Sequence, residues 1–173
     1  MKRIVLISGC IAGGIVALAM AVTMPFIHSG NLRHSEILGY STMVLAFVMV
    51  FVGIRTYREN VGGGAITFGK GFQVGILITL IACAFYVATW EILYWGFMPD
   101  FGDKYAAAFL QQMQAAGASA AAIAAKQRKL ADFQRLYKNP LYNIGMTFLE
   151  IFPVGLLITL ISAAILRRRA AVA

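Results

Sequence analysis

Hydrophobic positions fall into four nearly unbroken runs, at about Ile4–Ile27, Ile37–Ile54, Phe72–Phe97 and Leu141–Leu166. A helix needs about 20 consecutive apolar residues to cross the hydrocarbon layer of a bilayer, and each run meets or approaches that length. None contains Arg or Lys, and Glu91 and Glu150 are their only acids. In lipid a backbone must pair its N–H and C=O groups internally, so the runs are expected as helices. The pattern predicts an all-α polytopic membrane protein with four transmembrane helices, forming one integral membrane domain over residues 1–173.

Only the stretch at about 100–140, between the third and fourth runs, is long and polar enough to stand in water. Asp103 is placed to cap a helix running to Ala116, and Ser119 a second one after Gly117-Ala118. Ile123, Leu130, Phe133 and Tyr137 recur at helical spacing, which gives the second helix an apolar stripe. The segment is expected to be an extracytoplasmic helical hairpin. Its Lys126, Arg128 and Lys129 form a candidate surface for a protein partner or lipid phosphate.

Small residues mark the faces where spans approach one another. Gly9, Gly13, Ala17 and Ala21 recur every fourth position, as do Gly71, Gly75, Thr79 and Cys83. Such stripes let helix backbones come close in lipid. Packing within the bundle is one reading, and a homo-oligomer seam is the other. Trp90, Tyr94, Trp95, Phe97 and Phe101 gather at one span end, where aromatic rings anchor at headgroup level. Pro153, inside the fourth run, removes the N–H that Leu149 would accept and should kink the helix beside Glu150.

Composition agrees with this picture, with 60% hydrophobic and 13% charged residues. The net charge of +8 would suggest nucleic acid in a soluble chain. Here Lys2, Arg3, Arg55, Arg58, Lys70 and Arg167–Arg169 all flank ends that share one side. Cationic flanks stay inside, so both termini are expected in the cytoplasm of a bacterial inner membrane. The same rim should attract anionic lipid headgroups, and no nucleic-acid partner is expected. The Ala19-Met20-Ala21 triplet resembles a signal-peptide cleavage site, but the apolar run continues to Ile27 and argues for a retained span. Cys10 and Cys83 both fall within spans, where a thiol behaves as a small hydrophobe.

Candidate chemistry centres on the carboxylates, because an ionisable group within a span is a functional hypothesis by default. Glu91 and Glu150 lie about 10–14 Å below the same end by helical rise. Asn143 and Thr147 share the Glu150 face, and Glu36, Tyr40, His28, Arg33 and His34 sit near the entrance. Together they outline an outer vestibule that binds a proton, a cation or a ligand, or a set of structural hydrogen bonds. A metal at His34, Glu36 and Glu91 stays open, although His-x-Glu is not a helical ligand pair. Neither a nucleophile with its base nor a coenzyme motif is visible. No catalytic residue and no cofactor are predicted. The glycine-rich stretch at 62–71 lacks the spacing of a phosphate-binding loop.

Three segments carry a family resemblance: Glu36-Ile37-Leu38-Gly39-Tyr40-Ser41-Thr42-Met43, Val52-Gly53-Ile54-Arg55-Thr56-Tyr57-Arg58, and Gly63-Gly64-x-Ile66-x-Phe68-Gly69-Lys70. With Gly75-x-x-x-Thr79 and Tyr86-x-x-x-Trp90-Glu91, the chain resembles the bacterial membrane family called domain of unknown function 4199. The resemblance covers essentially the whole chain. It implies a small multi-span inner-membrane protein and brings no activity, cofactor or site residue. The leading expectation is a non-enzymatic carrier or accessory subunit. The alternatives are an enzyme acting on a lipid-linked or phosphorylated substrate at the outer face, and a purely structural, partner-binding protein.

Overall fold

The computed structural model describes residues 1–24 and 32–168, with residues 32–36 as backbone only. Six helices follow in order: α1 Lys2–Thr23, α2 Leu32–Asn60, α3 Phe68–Gly96, α4 Phe101–Ala115, α5 Ala120–Tyr137 and α6 Pro140–Leu166. Long apolar stretches in α1, α2, α3 and α6 make these the four candidate membrane spans. Among the described residues the sole extended pairing is an antiparallel bridge between Ile66 and Arg168.

Helix α3 sits at the centre, with α1 and α6 packed on it, and α2 touches all three. Close approach depends on glycines. A Cβ at Gly13 would stand 2.6 Å from Phe85 Cγ, and one at Gly75 would stand 2.8 Å from Thr159 Cγ2. The small-residue stripes around Gly9, Gly13, Gly71 and Gly75 are thus spent within the bundle.

Helix ends differ from expectation where local chemistry outweighs hydropathy. Helix α2 continues past Ile54 to Asn60, because Arg55 Nε donates to Glu59 Oε1 at 2.9 Å one turn later. Helix α3 begins at Phe68 rather than Phe72, since Thr67 Oγ1 accepts from Lys70 N at 3.3 Å and caps the extra turn. Asp103 does not cap α4. It lies within the first turn, Asp100 takes the cap position, and the Asp100 side chain makes no capping bond. Helix α6 remains continuous through Pro153.

Helices α4 and α5 pack on each other beyond the spans. Their link contains Gly117 at φ +76°, a left-handed conformation that glycine adopts without strain. Ser119 Oγ accepts from Ala122 N at 3.3 Å at the start of α5. Gln134 Nε2 donates to the Gly102 carbonyl at 2.6 Å, and Lys126 Nζ lies 4.5 Å from the Phe109 ring centre. No residue of α4 or α5 is fully buried.

Candidate functional site

The end of the bundle beneath α4 and α5 holds most of the polar side chains singled out above. On α3, Tyr86, Trp90 and Tyr94 follow one another at i, i+4 and all point inward. Trp90 Nε1 donates to Asn143 Oδ1 at 2.9 Å, a buried bond joining α3 to α6. Thr147 Oγ1 donates to the same Asn143 oxygen at 3.3 Å. A hydroxyl has one proton, so the 3.3 Å contact between Tyr137 and Thr147 is donated by the tyrosine. Asn143 Nδ2 completes the set with the Tyr137 carbonyl at 3.5 Å.

Asn143 and Thr147 are therefore both held in a network that ties α3, α5 and α6. Burial also pushes the Tyr137 phenol above its ordinary pKa, which keeps it a neutral donor. Aromatic rings close over the network. Trp90 meets Phe101 edge-on at 5.1 Å, and Tyr94 meets Tyr137 edge-on at 5.5 Å. Above them lies a cavity of about 230 Å³, lined by Tyr94, Phe101, Tyr105, Leu130, Phe133 and Tyr137 among others.

The two span carboxylates have different surroundings. Glu91 is half-buried, and its Oε2 accepts from Trp95 Nε1 at 2.8 Å. Its Oε1 is buried with no partner among the described residues. Glu150 is exposed on the side of the bundle, with the Tyr86 hydroxyl in hydrogen-bonding reach. Five residues separate Tyr86 from Glu91, a rotation of about 140° around α3. Glu91 therefore looks away from the face that meets Glu150, and the two carboxylates have no side-chain partner in common. Tyr40 is exposed on α2.

The side chains of His34, Arg33 and Glu36, and all of His28, lie outside the described residues. Among the described residues no three His, Cys, Asp or Glu side chains cluster as a metal would need. Lys126 is engaged with Phe109, whereas Arg128 and Lys129 are exposed on α5. Trp90 was the structural residue the belt pattern concealed. Its i, i+4 alignment with Tyr86 and Tyr94 is the signal that separates it from the exposed Trp95.

Four apolar helices around a hydrogen-bonded core define a polytopic helical membrane protein. The chain belongs to DUF4199, a family of proteins of unknown function whose model matches residues 8–168. No curated protein and no solved structure matches it.

Proposed function

We propose that the protein is a non-enzymatic accessory subunit of a bacterial inner-membrane assembly, whose partner covers the α6 face carrying Glu150. Exposure of Glu150 carries this reading. It lies about 15 Å along α6 from Pro140 by helical rise. Its neighbours at the surface, Leu149 and Leu157, are side chains suited to lipid. An acid facing hydrocarbon at that depth costs about 2.5–3.5 kcal/mol; the Tyr86 hydroxyl on α3 offsets part of it, and a further donor from a partner's membrane helix would offset the rest. The basic flanks at Lys2, Arg3, Arg55, Arg58 and Lys70 support cytoplasmic termini, with α4 and α5 on the opposite side.

A proton or cation carrier is the second reading, and the unpartnered Oε1 of Glu91 favours it. A photo-crosslinking amino acid at Leu149 or Leu157 separates the two in native membranes. An accessory subunit gives one discrete protein adduct at both positions, none at the exposed Val22 of α1, and loses it with Glu150→Leu. Lipid adducts alone, with a cysteine at 150 labelled by aqueous maleimide, would overturn the subunit reading in favour of a hydrated path.

A further inference from the structure

The end of the bundle that carries residues 1 and 168 has the opposite character from the carboxylate end. Lys2, Arg3, Arg55, Arg58 and Lys70 all lie there, and Glu59 is the one acid among the described residues at that end. Three of these five cations are already engaged. Glu59 Oε1 holds Arg55 Nε at 2.9 Å and Arg58 Nη2 at 3.2 Å. Arg58 Nη1 also donates to the Leu166 carbonyl at 3.4 Å. Lys70 Nζ donates to Gln73 Oε1 at 2.9 Å and stands 5.9 Å from the Tyr57 ring centre.

Arg167 and Arg168, like Lys2 and Arg3, differ from those three. The Arg167 and Arg168 side chains are exposed, and neither guanidinium has a hydrogen bond or ion pair among the described residues. Their backbone is nevertheless fixed. Ile66 N donates to the Arg168 carbonyl and Arg168 N donates to the Ile66 carbonyl, each at 2.9 Å. Ile66 is itself buried, so the clasp is anchored in the bundle. Beside it opens a cavity of about 520 Å³, lined by Ile66, Thr67, Phe68, Arg167 and Arg168.

We propose that Arg167 and Arg168, held by this clasp, form a binding site for a phosphate group, and that the headgroup of an anionic lipid supplies it. Each guanidinium offers a planar fork of donors matched to phosphate oxygens. The clasp fixes the backbone in advance, which lowers the ordering cost of binding. The amino end of α3 borders the same cavity and adds its dipole, which favours an anion. Position selects the lipid as the source, because the cavity lies where α3 begins and α6 ends, at the ends of two spans, level with headgroups. A scattered basic rim would attract any anionic surface equally, whereas a built cavity predicts saturable and residue-specific binding.

Thermal melting of the full chain in dodecyl maltoside tests this, with phosphatidylglycerol, phosphatidylcholine or sodium phosphate added. Saturable stabilisation by phosphatidylglycerol and not by phosphatidylcholine is expected. Near the surface each cation contributes about fivefold, so Arg167→Gln/Arg168→Gln should weaken the apparent affinity about thirtyfold. If sodium phosphate alone protects the wild type and fails to protect that variant, the site stands with a soluble phosphate as its source. Identical titrations of variant and wild type, or equal effects of the two lipids, would overturn it. Arg167→Lys/Arg168→Lys keeps the charge, serves if the glutamine variant does not fold, and should lie between the two. Full wild-type affinity in the lysine variant would mean that charge alone acts and would remove the built site. Arg135→Gln/Lys138→Gln, exposed at the far end, should bind as the wild type does, and an equal loss there would also overturn the proposal.

Discussion

Helix α3 makes one seam with α1 and another with α6, and the two solve the same problem differently. Hydrocarbon gives helices no hydrophobic reason to associate, so packing and hydrogen bonds must supply the attraction. The α1 seam relies on packing, with Gly9 against Ile81 and Gly13 against Phe85. The α6 seam has glycines as well, at Gly75 and Gly155, but adds Thr79 to Thr159 at 3.0 Å and Trp90 to Asn143 at 2.9 Å. An apolar seam tolerates sliding. A seam with matched donors and acceptors has one register. The candidate site sits on the second seam, where side-chain positions are fixed.

The sharpest break in this comparison is Gly155→Leu set against Gly13→Leu. A Cβ at 155 would lie 2.7 Å from Phe47 Cζ and would overlap Thr79, both fully buried. Overpacking typically costs about 1–3 kcal/mol, and Gly155→Leu should reach or pass the upper figure. At Gly13 the obstacle is Phe85 Cβ and Cγ, at 2.8 and 2.6 Å; Cβ cannot swing aside, but Phe85 is 39% exposed and the seam borders lipid, so α1 can shift outward and that loss should be smaller. Unfolding by detergent titration ranks the pair, and equal losses would erase the distinction between the seams.

Next in size is Asn143→Leu, which strands the Trp90 indole N–H. A buried donor left unpaired costs about 1–3 kcal/mol. The Trp90 emission should shift, and the α5 contact through Tyr137 should loosen in hydrogen exchange. Unaltered stability would mean that this network contributes nothing to holding α6. Smallest is Thr79→Val, which removes the hydroxyl shared with Thr159 while keeping the shape. Interhelical bonds of this kind average about 0.6 kcal/mol in membranes, with a ceiling near 1.7, and a larger loss would mean that packing had been disturbed.

The spans were legible because the cost of burying a charge or an unpaired backbone in lipid writes long uninterrupted runs. Helix ends were less legible. Hydropathy stops at Ile54, yet Arg55 and Glu59 carry α2 a further turn and a half through an i, i+4 ion pair. At the candidate site, the expectation of two carboxylates facing each other at one depth did not account for either level or azimuth. Glu150 meets Tyr86, and Glu91 lies five residues further along α3, about 7.5 Å by helical rise and about 140° around the helix. Asn143 and Thr147 were readable as a shared face, whereas the indole that bonds Asn143, Trp90, comes from a helix 53 positions earlier. The Ile66–Arg168 clasp had no sequence signal, since isolated backbone pairing is indifferent to side-chain identity.

The placement of the indoles has a practical consequence. The chain has two tryptophans, Trp90 and Trp95, and both stand beside Tyr94 at ring distances of 5.7 and 5.0 Å. One is buried with its N–H bound to Asn143, and the other is exposed with its N–H on Glu91. Intrinsic fluorescence of this protein is therefore a local gauge of the junction between α3 and the α4–α5 pair. A two-component emission spectrum would resolve the sealed network from the carboxylate beside it without any added label. The opposite end of the bundle, with its arginine clasp, carries no tryptophan and would not contribute to the indole emission.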